Sequence, residues 1–141
     1  MRNLRFFPVV LAVLAGCNGG SGAVISSHEQ AAGETVKAMD RFAGILDGIK
    51  DQADAEAAKP AFEALKKDLD ELIKAVDKLG EPSEEEAKKA TQRLEAGIGD
   101  MGERMDKILA RLAASGVGMS VQATAGVIMG KFMTLHAKVG G

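Results

Sequence analysis

Phe62, Leu65, Leu69, Leu72, Val76 and Leu79 recur at alternating steps of three and four residues, and Ala55 and Ala58 extend the series backward. This spacing constrains the fold more than any other feature. It places all six large side chains on one face of an α-helix, as a seam that leaves water only by packing against further helices. Lys66, Lys67, Asp68, Asp70, Glu71 and Lys74 fall between the seam positions. Such an outer face is solvated, and its i,i+4 pairs add only about 0.2–0.5 kcal/mol each. Pro60 suits a first helical turn, where a missing N–H costs nothing, and Gly80 suits a C-cap.

Three other stretches carry the same rhythm. Val36, Met39, Ala43, Leu46 and Ile49 predict a first helix over about 28–50, opened by Ser27 and Gln30 as a capping box with Ile25 as hydrophobic staple. Ser83 and Glu86 form a second capping box, after which Ala87, Thr91, Leu94, Ile98, Met101, Met105, Ile108 and Leu112 predict a helix over about 84–113. Gly97, Gly99 and Gly102 sit in its middle, and either soften it or let a neighbouring backbone come close. After the turn Ser115-Gly116-Val117-Gly118, a last helix over about 119–138 has the seam Val121, Ala125, Ile128, Phe132 and Leu135. Val127, Met129 and Met133 make it apolar on further sides, and Gly126 and Gly130 form a GxxxG step. It reads as a covered bundle helix or an oligomer contact, with a membrane-inserted tail as the alternative. The expected fold is an all-α bundle of about four helices, the second and third forming an antiparallel coiled-coil-like hairpin.

The first residues read differently. Met1 to Arg5 is short and positive, and Phe6 to Leu14 is an apolar run interrupted only by Pro8. That run is shorter than the ~20 residues a membrane-spanning helix needs, and it fits a secretory signal. It ends in Leu14-Ala15-Gly16-Cys17, which resembles the lipobox of bacterial lipoproteins. The resemblance covers residues 1–17. It implies a diacylglyceryl group on the sulfur of Cys17, cleavage just before that residue, and acylation of the new amino group. Two or three acyl chains anchor firmly where one binds marginally. By the same resemblance, Asn18 rather than Asp after the cysteine implies the outer membrane facing the periplasm in a Gram-negative envelope. The expected organisation is a signal peptide over 1–16, a lipidated Cys17 and a Gly/Ser tether over 17–26, and a bundle over 27–141.

Composition narrows the functions. Removing sixteen of the 141 residues leaves 125, enough for one core. With no Trp or Tyr, and with Phe6 and Phe7 in the leader, that core is aliphatic with Met as filler. Loss of Arg2 and Arg5 takes the formal charge from −2 to −4. A mildly acidic chain without a basic patch is a poor nucleic-acid binder, and no such partner is expected. The single Cys17 excludes an internal disulfide.

The chain holds no GxSxG, HExxH, phosphate-binding or dinucleotide-binding motif. Its carboxylates lie on charged helix faces, and no catalytic residue is assigned. Met129, Met133 and His136 share roughly one helical face, and thioether with imidazole suits Cu(I), although Met at helical spacing also fills cores. The mature chain is weakly similar to the periplasmic four-helix b-type cytochromes, on bundle layout with Met39 in the first helix and His136 in the last. That resemblance implies Met39 and His136 as axial haem ligands. The leading expectation is a non-enzymatic, lipid-anchored envelope protein without a cofactor. It serves as a structural or interaction module, and its partners are the membrane through Cys17 and a second copy or another helical protein. The alternative is a haem- or copper-binding carrier.

Overall fold

The computed structural model describes residues 24–140. They form five helices: α1 (His28–Asp47), α2 (Gln52–Leu79), α3 (Glu84–Ile98), α4 (Met101–Ala114) and α5 (Gly118–Gly140). No strand occurs among the described residues. The leader, Cys17 and most of the tether lie outside them.

The caps set most of the boundaries. The Ser27 hydroxyl accepts the Gln30 N–H at 3.1 Å, while the Gln30 side chain accepts from the Ser26 N–H rather than from Ser27. The expected box is therefore displaced by one residue on its return bond. The first helix ends at Asp47 and not at residue 50, with the Gly48 N–H bonded to the Gly44 carbonyl. Arg111 of α4 finishes this end. Its guanidinium donates to the carbonyls of Ile49 at 2.8 Å, Asp47 at 3.1 Å and Leu46 at 3.3 Å. A cation there meets both the orphan carbonyls and the negative end of the helix dipole.

Pro60 does not open the second helix. Asp51 caps it, with its carboxylate accepting the Asp54 N–H at 2.8 Å, so Pro60 lies in the helix interior. The expectation followed the proline, but an Asp N-cap sets the start wherever it stands, and an exposed Pro is tolerated at the expense of one helical hydrogen bond. Gly80 ends α2 at φ 75°, a conformation that a Cβ would strain. At α3 both bonds of the Ser83–Glu86 capping box form, at 2.9 and 3.2 Å.

The long third helix divides in two, which makes five helices where about four were expected. Gly99 turns to φ 30° and ends α3, and Asp100 starts α4 without a side-chain cap bond. The neighbouring Gly97 has a different role. A Cβ there would lie 2.4 Å from Cγ1 and 2.5 Å from Cγ2 of Val36, so α1 and α3 touch at a distance only glycine permits.

Cross-chain bonds give the directions. His28 reaches Gly80 and lies near Glu86, Asp40 pairs with Arg104 at 2.9 Å, and Ile49 meets Arg111. So α1 runs alongside α3 and then α4 in the same direction. Ser120 bonds Gln52 at 2.8 Å, Lys131 pairs with Asp70 and Lys138 with Asp77, so α2 and α5 run together in the opposite sense. Helices α2 and α3 are not neighbours. The expected hairpin of second and third helices is corrected to a diagonal pair. The hairpins are α1–α2 and α3/α4–α5, and residues 80–83 carry the chain across the end of the bundle. A short connection usually joins neighbours, but here the seams of α2 and α3 both face α1 and α5 instead of each other.

The core is aliphatic. Phe42, Leu46, Leu65, Leu69, Leu94, Leu112, Ile128 and Leu135 are almost fully buried, each contributing about 1.5–3 kcal/mol by leaving water. The Phe42 ring packs against Phe62 edge-on, with centroids 6.3 Å apart, and against Phe132 at 5.9 Å. Helix α5 touches all four other helices.

Candidate functional site

The last helix draws attention because its two sides differ. The five seam residues Val121, Ala125, Ile128, Phe132 and Leu135 are buried, together with Val139. Its lysines are both committed to α2, through the pairs Lys131–Asp70 and Lys138–Asp77. The opposite side holds Ala123, Val127, Gly130, Met133, Thr134 and Ala137, none of them ionisable. Met133 is 71% exposed and Val127 50%. A Cβ on Gly126 or Gly130 would meet nothing within 4 Å, so the GxxxG step serves no contact among the described residues. The expectation that this helix is covered is met on one side only. No described helix is long and apolar enough to cross a membrane.

Beside that face lies a concavity. The break at Gly99 separates α4 from α3, and a cavity of about 580 Å³ lies between α4 and α5. Phe42, Leu112, Val121 and Ala125 line its buried part, and Met105, Leu109, Met119, Gly126 and Met129 its outer walls. Among the described residues, Gln122 supplies the one polar side chain in that lining.

The residues considered as ligands lie on two helices. Met39 is half-buried against the core, whereas Met129, Met133 and His136 are exposed on α5. The cavity is lined by Met129 but not by Met39, Met133 or His136. No group of three or more His, Cys, Asp or Glu side chains among the described residues is placed to hold a metal ion. Cys17 is outside the described residues.

Two residues matter that sequence reasoning passed over. His28 is buried, and its Nε2 lies 3.0 Å from the Gly80 carbonyl oxygen. A carbonyl only accepts, so Nε2 carries the proton. His28 thereby ties the start of α1 to the crossing segment after α2. Its Nδ1 is buried without a hydrogen-bond partner among the described residues, 3.9 Å from the Glu86 carboxylate. The other is Arg111, the cap of α1. Nothing near either residue in sequence signals these partners, which come from segments more than 50 positions away.

Titration shifts occur at surface carboxylates. Bonds from the Ser83 backbone N–H and then its hydroxyl hold the Glu86 carboxyl below its usual range. Lys59 lowers Glu56 and Lys89 lowers Glu85, each chiefly through a side-chain hydrogen bond, and Glu85 in turn raises Lys89. These groups lie at helix ends and on exposed faces. Comparison with family models, with curated proteins and with solved structures finds no match to the chain.

Proposed function

We propose that this chain is a membrane-anchored envelope lipoprotein whose bundle is a non-enzymatic structural or protein-interaction module, with the outward side of α5 as its working surface. The observation that carries the second half is that side of α5. Over 23 residues it combines exposed Met133 and Val127 with an unused Gly126–Gly130 step, and it presents no charge. Small residues at i and i+4 let a second helix approach closely, and exposed apolar surface of this kind is characteristic of interaction sites. The first half rests on the likeness of residues 14–17 to a lipobox, and Asn18 leads to the outer membrane as the location in a Gram-negative envelope.

Metabolic labelling with palmitate in a bacterial host tests the anchor. Incorporation into the full chain that disappears in Cys17→Ser supports it, and an unlabelled wild-type chain refutes it. Sedimentation of the Cys17→Ser chain over a range of concentrations, alone and with envelope extract, tests the surface. Association that Gly130→Leu weakens is expected. Association indifferent to that substitution places the working surface elsewhere.

A further inference from the structure

The cavity between α4 and α5 asks for a different occupant from the face beside it. It runs inward from Leu109 and Met119 at the surface to Phe42 in the core. Its volume of about 580 Å³ falls in the range of roughly 300–1,000 Å³ typical of small-molecule sites. A helix about 10 Å across takes up about 1,200 Å³ over ten residues, so a partner helix can lie on α5 but cannot enter this gap. A flexible hydrocarbon chain can. The walls are suited to it, since Met105, Met119 and Met129 adapt their shape to what they touch.

Charge decides the ligand's head. Among the described residues no ionisable side chain lines the cavity, and Gln122 is the single polar side chain there. Gln122 is exposed at the rim, so a head beside it keeps contact with water; a hydroxyl or ester there can bond the Gln122 amide, whereas an anion finds no countercharge in the lining. Phe42 stands fourteen residues along α1 from His28, or about 21 Å from the Gly80 end of the bundle; Cys17→Ser removes the chain's own anchor as a competing occupant.

We propose that this cavity binds one free long-chain acyl lipid with an uncharged head, of the monoacylglycerol class, its tail against Phe42 and Leu112 and its head at Gln122. This goes beyond the interaction reading and does not depend on it.

The test uses the full chain with Cys17→Ser, purified without detergent, and the uncharged fluorescent probe N-phenyl-1-naphthylamine. Saturable one-site enhancement is expected, reversed by monopalmitoylglycerol below its aggregation threshold and at least tenfold less effectively by palmitate. Gly126→Leu, which projects a side chain from the cavity wall, is expected to weaken probe binding at least tenfold without lowering the melting temperature. Leu109→Gln on the half-exposed wall provides a second perturbation should that variant not fold. Lys74→Ala, at an exposed position of α2 outside the lining, should leave binding unchanged. Absence of saturable binding overturns the site, as does binding indifferent to both lining variants or abolished by Lys74→Ala. Equal displacement by palmitate overturns the uncharged head.

Discussion

Gly97→Ala should destabilise this protein even though it replaces the poorest ordinary helix former with the best. Helix propensity alone favours the change by about 1 kcal/mol. Against it stands Val36, whose methyls lie 2.4 and 2.5 Å from the position of the new Cβ, while carbon atoms rest about 3.5–4.0 Å apart. Valine in a helix is held to one χ1 rotamer and cannot swing aside, so the helices must separate by about 1 Å or the side chain must strain. Overpacking of this kind costs about 1–3 kcal/mol. The net loss expected is up to about 2 kcal/mol. Val36→Ala alone removes two methyls from a half-buried site and should cost about 1 kcal/mol. In the double variant the clash is largely gone, so the two losses should fall short of additive by at least about 1 kcal/mol. Urea unfolding of the four proteins, followed by far-ultraviolet circular dichroism, gives all the terms. A Gly97→Ala chain more stable than wild type, with no coupling to Val36, would refute the close approach of α1 and α3.

Pro60→Ala should stabilise the chain by about 1–2 kcal/mol, because it restores an interior helical bond at an exposed position while adding freedom to the unfolded chain; an unchanged urea midpoint would place the helix start at the proline after all. Arg111→Met keeps the stem but removes the charged cap from the carbonyls of Leu46, Asp47 and Ile49, and since the side chain is 39% exposed the expected loss is about 1–2 kcal/mol. Hydrogen exchange should then quicken at the end of α1 first. Glu86 has its carboxyl held low in the folded state, so its contribution is present above the ordinary value of 4.5 and fades as pH falls through the lower folded value. Glu86→Gln keeps a capping side chain but cannot titrate, so it should flatten that part of the acid limb of a stability–pH profile, with the loss seen at neutral pH and the two profiles converging below the folded value.

The seams were legible because helical periodicity is written into consecutive residues. Phe62 to Leu79 and Val121 to Leu135 turn inward as their spacing requires. The break in the third helix was signalled by three glycines but not located, since each could have served. Gly99 supplies the turn, Gly97 answers to a valine sixty residues away, and a Cβ on Gly102 would meet nothing. The pairing of α2 with α5 was hidden for a related reason: the four residues between α2 and α3 state how far the chain travels, not which side of α1 it passes. The apolar excess of α5 was readable. The cavity beside it was not, because its lining joins Phe42 to residues more than sixty positions away, and no stretch of sequence carries that juxtaposition.

The diagonal crossing also fixes how the molecule would bear a load. Val24 leads into α1 at the His28 end, and Gly140, whose Cβ would lie 3.1 Å from the Thr91 hydroxyl, finishes α5 at that same end. Helices α1 and α5 touch directly and run antiparallel. Tension applied between residues 24 and 140 would therefore part these two helices turn by turn from a single edge, instead of sliding one along the other. Each step breaks a few contacts, so the bundle should open under far smaller forces than one of equal equilibrium stability gripped at opposite ends.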